Sequence, residues 1–70
     1  MAEEHVSQFY AKVEDEERCV QSALSRQPVM ITGLTAEGQV WAFRGIVQSI
    51  EMGPTQYPSY PFRITMLDAD

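Results

Sequence analysis

Two side chains in this 70-residue chain could serve as a nucleophile or a soft metal ligand, the thiol of Cys19 and the imidazole of His5, and there is one of each. Fourteen positions separate them. Structural zinc takes Cys and His ligands in closely spaced pairs, and a triad needs an imidazole beside its nucleophile. Neither pattern occurs, so no metal, no cofactor and no catalytic residue is expected, and the chain reads as a protein without enzymatic activity. One carboxylate interrupts a pattern. If the N-terminal segment is helical, Glu17 falls between Val13 and Val20 within an apolar stripe. It could overhang the sheet and stay in water, pair with Arg44 or Arg63 on a strand, or act as a general acid or base, which would require a partner group and a cleft.

The remaining chemistry is that of contact. Glu14-Asp15-Glu16-Glu17 is the densest run of charge in the chain; Glu14, Asp15 and Glu17 could address a basic partner, including a nucleic-acid-binding protein whose site they would occupy. The segment from Met52 to Pro61 holds Tyr57 and Tyr60 among three prolines, a restrained backbone carrying large aromatic area. Those tyrosines could equally fold back over a sheet edge. Trp41 and Phe43 lie on one side of a strand-like run, where they either enter the core or crown an open sheet face suited to self-association.

Composition narrows the partners. Ten acidic residues against five basic ones give a net charge of −5. Phosphate backbones are bound chiefly by Lys and Arg displacing counterions, so direct nucleic-acid binding is disfavoured. A single cysteine cannot make an internal disulfide and suits a reducing compartment, and the acidic start Met1-Ala2-Glu3-Glu4 lacks the base of a targeting peptide. A cytoplasmic protein with no membrane span is expected. The charge is uneven: residues 1–18 carry six acids against Lys12 and Arg18, whereas in 27–67 Glu37 and Glu51 balance Arg44 and Arg63.

These residues must be positioned by a few elements. Val6, Phe9, Tyr10, Val13, Val20, Ala23 and Leu24 recur at three- and four-residue spacing with no Gly or Pro from Ala2 to Gln27. The spacing predicts a helix over about 7–26, with Ser7 as N-cap and Pro28 as the stop. Alternating β-prone runs predict strands over about 29–34, 39–51 and 60–67. The middle run would be roughly 43 Å long if straight, against a diameter of roughly 28 Å for a domain of this size. It must bend, and the change of apolar parity after Phe43 places a bulge at Arg44-Gly45.

Pro28-Val29-Met30-Ile31, a turn ending at Gly38, and Gly45-Ile46-Val47-Gln48-Ser49-Ile50-Glu51, all following a helix, resemble the opening of an Sm-like RNA-binding protein. The likeness is one of architecture, and no binding residue is carried over from it. It implies a bent barrel and, as an alternative function, RNA binding by an oligomeric ring. The expectation is a single α+β domain, residues 1–70: an N-terminal helix on a strongly bent three-stranded antiparallel sheet, an SH3-like or Sm-like half-barrel. Its expected role is that of a protein-interaction module, with homodimerisation as one way for so small a core to gain burial.

Overall fold

A computed structural model of the chain describes residues 5–53 and 55–68. The first element is a strand, β1 (Val6–Ala11), where a helix was expected. A 3-10 turn (Val13–Asp15) leads into the helix α1 (Glu16–Ser25), followed by β2 (Val29–Leu34), β3 (Val40–Met52) and β4 (Phe62–Asp68). The four strands form a closed antiparallel ring in the order β1-β2-β3-β4, with β4 returning to β1. The expected three-stranded sheet is therefore overturned. A strand ahead of the helix also departs from the helix-first order on which the Sm-like resemblance rested.

The helix expectation failed because two periods fit the same residues. Within β1, Phe9 and Ala11 are buried while Gln8 is exposed, the alternation of a half-buried strand. What decides is the ladder to β4, which runs from Val6↔Leu67 to Ala11↔Phe62. Ser7 is no N-cap; its hydroxyl donates to the Asp68 carboxylate at 3.0 Å. Lys12 stays extended (φ −76°, ψ 158°), so helical geometry begins only beyond it. Glu16 and Glu17 then occupy the first turn of α1, where carboxylates suit the helix dipole.

The helix buries a different face from the one its apolar spacing suggests. Cys19 and Ser22 are buried and Ala23 packs on the core, whereas Val13, Val20 and Leu24 are exposed, Leu24 at 75%. Small side chains let the helix backbone approach the ring closely. Ser22 uses that approach: its hydroxyl accepts from the Val47 N–H at 3.1 Å and donates to the Gln27 carbonyl at 2.7 Å. Glu17 is exposed and lies on the outward side of α1.

The longest dimension of the protein is 37 Å, too short for a straight β3. Residues 40–45 of β3 pair with β2, and residues 45–52 pair with β4 on the opposite edge. Gly45 belongs to both ladders, opposite Val29 and Asp68. A Cβ there would run into the Leu67 carbonyl oxygen, so glycine is what permits the strands to cross so closely. The bulge is not at Arg44-Gly45 as expected; the register shifts between Val47 and Ser49, making Gln48 the extra residue. Up to Val47 the odd-numbered residues face the core, and after Gln48 the even-numbered Ile50 does, opposite Ile64.

The core comprises Phe9, Ala11, Cys19, Ile31, Val47, Ile64 and Met66. One aromatic contact of the core lies at the seam of β1 and β2, which pair only at Tyr10↔Leu34. The Phe9 ring fills the space beside Gly33 and stacks on Phe43, with centroids 4.2 Å apart and planes 2° from parallel. A methyl group at Gly33 would strike the Phe9 ring and sit 2.8 Å from the Tyr10 carbonyl oxygen.

Gly33→Ala should therefore lower the unfolding free energy by about 1–3 kcal/mol through overpacking at this seam. Ser22→Ala should lower it by about 1–3 kcal/mol by stranding the buried Val47 N–H. Urea denaturation followed by Trp41 fluorescence measures both, and an unchanged midpoint in either variant contradicts the corresponding contact.

Candidate protein-contact surface

The β2–β3 arm arises because β3 is longer than either neighbour. Thirteen residues of β3 face six of β2 and seven of β4, on opposite edges. Pairing with β4 begins at Gly45, so among the described residues no strand covers the second edge of residues 40–44. In an antiparallel ladder successive residues send their N–H and C=O groups to alternate edges. The Gln39 carbonyl accepts from the Thr35 N–H at 2.7 Å, and the Val47 N–H points past the end of β2 to Ser22. Odd-numbered residues of the arm therefore address β2. Val40, Ala42 and Arg44 turn their backbone donors and acceptors outward.

Side chains make this edge apolar. Val40 and Trp41 are each 58% exposed, and Ala42 is exposed. The Trp41 indole N–H donates to the Gln39 side-chain oxygen at 3.2 Å, which leaves the ring's faces free of that polar demand. Arg44 is the one charged residue between Gln39 and Ile50. Sheet edges are ordinarily blunted by proline, lysine or a bulge. Residues 40–44 contain no proline or lysine, and the bulge at Gln48 lies beyond them.

The other contact residues expected from the sequence go elsewhere. Phe43 is half-buried against Phe9, so most of its ring serves the core. Tyr57 folds back: its ring meets Tyr10 at 5.6 Å between centroids, and its hydroxyl lies 3.5 Å from the Ala36 carbonyl oxygen. Tyr60 is half-buried, with the Lys12 ammonium 5.6 Å from its ring centroid. These contacts tie the β3–β4 loop to β1 and to the β2–β3 turn; Pro54 lies outside the described residues. Glu14 and Glu17 are exposed and, with Arg18, Gln21 and Ser25, line an open groove of about 360 Å³ beside Pro28. Asp15 is half-buried and pairs with Arg18 at 3.8 Å, and Arg18 also donates to the Met30 carbonyl at 2.7 Å. Neither Arg44 nor Arg63 meets Glu17; Arg63 pairs with Glu51 at 3.0 Å.

The structure thus divides the expected residues among the helix, the arm and the loop. Val40 and Ala42 were not singled out from the sequence, and Arg44 only as a partner for Glu17 and as the site of a bulge. The available signal was length, since one six-residue neighbour cannot cover a thirteen-residue strand. Among the described residues no three His, Cys, Asp or Glu side chains gather as a metal site would require, and no helix is long and apolar enough to cross a membrane.

Cys19 is fully buried, and burial, with a smaller contribution from Asp15, pushes its thiol up to about 11 from an ordinary 9.0; Arg18 opposes this weakly. A raised acid favours the folded state while protonated. Its contribution is complete below pH 9 and is lost as pH rises toward 11. The native protein should resist a thiol reagent at pH 8 and react fully in urea. Its denaturation midpoint should fall between pH 9 and 11 more steeply than that of Cys19→Ala, and equal slopes would remove this assignment.

Comparison of the chain with known protein families, curated proteins and solved structures finds no match.

Proposed function

We propose that this chain is a non-enzymatic protein-interaction module of the cytoplasm whose contact surface is the β2–β3 arm, with Trp41 as its anchor. The observation that carries the reading is the second edge of Val40–Phe43, which no strand covers among the described residues and beside which Val40, Trp41 and Ala42 are exposed. Extended segments add to such edges through main-chain hydrogen bonds, and flanking side chains supply selectivity. Tryptophan is the residue type most enriched among contacts that dominate binding energy. Charge supports the same surface: the acids crowd the first turn of α1, whereas the arm is nearly neutral and can approach a partner without desolvating carboxylates.

The chemistry of the chain agrees with a binding role. Its one thiol is packed into the core and held protonated, the state least suited to nucleophilic attack. A free thiol of this kind suits a reducing compartment. The single guanidinium on the arm is a weak basis for phosphate binding.

Immobilised wild-type protein should capture its partner from extract of the native host, and Trp41→Ala should reduce that capture at least tenfold. The variant's thermal midpoint should stay close to wild type, because Trp41 lies outside the core. Equal capture by both proteins would sink the assignment of this surface.

A further inference from the structure

We infer that the outward face of α1 is a second interaction surface, independent of the β2–β3 arm, and that its occupant is a cationic amphipathic helix of a partner protein. Val13, Glu17, Val20 and Leu24 follow one another at intervals of four, three and four residues, which aligns them along one side of the helix and the turn that leads into it. All four are exposed, Leu24 most of all among the apolar three. The packed side of α1 is given to Cys19, Ser22 and Ala23, so the larger apolar groups of this segment are in water. Exposed apolar side chains that occur singly are ordinary on a protein surface. Three in one row, rimmed by charge and spaced by threes and fours, have the pattern by which one helix packs on another.

Charge identifies the occupant. Glu14, Glu16 and Glu17 are exposed, and among the described residues none of them pairs with a basic side chain. The neighbouring cations are engaged elsewhere: Arg18 holds Asp15 and the Met30 carbonyl, and Lys12 lies over the Tyr60 ring. The helix dipole accounts for carboxylates in the first turn; it does not account for the apolar row that continues past them to Leu24. Because Glu17 sits within that row, a wholly apolar occupant would bury its charge without a partner. A helix that sets a Lys or Arg opposite Glu17, with apolar side chains on either side, meets both demands. A second copy offering the same face does not, since it also carries −5 and would bring carboxylates against carboxylates. The flank of the row has room for the long stems of such cations. Glu14 and Glu17 also wall the open groove of about 360 Å³ beside Pro28, where Gln21 and Ser25 supply further acceptors.

The test uses the full chain and, as probe, a peptide of leucine and lysine arranged at helical spacing, titrated by calorimetry at about 0.15 M salt, where attraction between exposed charges is screened beyond about 8 Å. The wild type should bind it at least tenfold more tightly than a peptide of the same composition in scrambled order. Glu17→Lys should weaken binding at least tenfold and Leu24→Ala at least threefold. Glu37→Lys, which changes the net charge equally but lies in the β2–β3 turn, should leave binding within twofold of wild type. Amide resonances should shift on binding along Val13–Leu24 and not along Val40–Phe43. Equal binding of the scrambled peptide, equal losses from Glu17→Lys and Glu37→Lys, full affinity in Leu24→Ala, or shifts confined to the arm would each overturn the assignment. Partner capture through Trp41 involves none of these residues, so the reading of the arm stands or falls separately.

Discussion

The fold depends on one aromatic contact, the stacking of Phe9 on Phe43 in the niche left by Gly33. Three seams of the ring are ladders of six or seven residue pairs, whereas β1 meets β2 at a single pair. Hydrogen bonds alone do not hold that fourth seam. The Phe9 ring occupies the volume a side chain at position 33 would need and lies flat on Phe43 from β3, so side-chain packing supplies what the ladder lacks. Stacked, near-parallel rings at this spacing add to the burial of two large apolar groups. Because β1 also carries β4 along its whole length, seating Phe9 positions both terminal strands at once.

The same contact explains why Trp41 is outside. Phe43 ends the packed interior of the arm, and Trp41 lies two residues farther along the same face, opposite Gly33. Beyond the Phe9–Phe43 stack there is no further layer of core for the indole to enter. The length of β3 compounds this. Serving β2 on one edge and β4 on the other leaves two stretches with an uncovered side. The helix closes one of them through the Ser22 hydroxyl on the Val47 N–H. The other, Val40–Arg44, has no strand beside it among the described residues.

Some of this architecture was legible in the sequence. Strand-length arithmetic required β3 to bend, and alternation in the C-terminal two-thirds pointed to antiparallel strands. The site of the bulge was not legible, because the parity change constrains only a window and Gln48 carries no bulge signal of its own. Gly45 serves close approach between strands, which concerns a partner distant in the chain. The N-terminal segment was misread for a similar reason. Val6, Phe9, Tyr10 and Val13 satisfy helical spacing, yet six of the residues assigned to the helix or its lead-in join a ladder with residues 62–67. Of the proposed contact surface, Trp41 stood out by residue type, while the edge beside it, uncovered among the described residues, follows from where β4 begins to pair.

The sequence alone determined the properties that consecutive residues carry: an α+β composition of elements, a long strand that must bend, acid concentrated in the N-terminal quarter and a nearly neutral sheet. Tertiary structure decided that residues 6–11 are a strand, that the sheet closes into a four-membered ring, that α1 buries Cys19 and Ser22 rather than Val20 and Leu24, and that Trp41 faces solvent. The physical reason is the same in each case. Periodicity and composition act over a few neighbouring residues, whereas a β ladder between the two ends of the chain gains its hydrogen bonds and burial only when those ends meet. Where the two conflict, the long-range ladder prevails, because it satisfies backbone groups and buries aromatic surface that an isolated helix would have left in water.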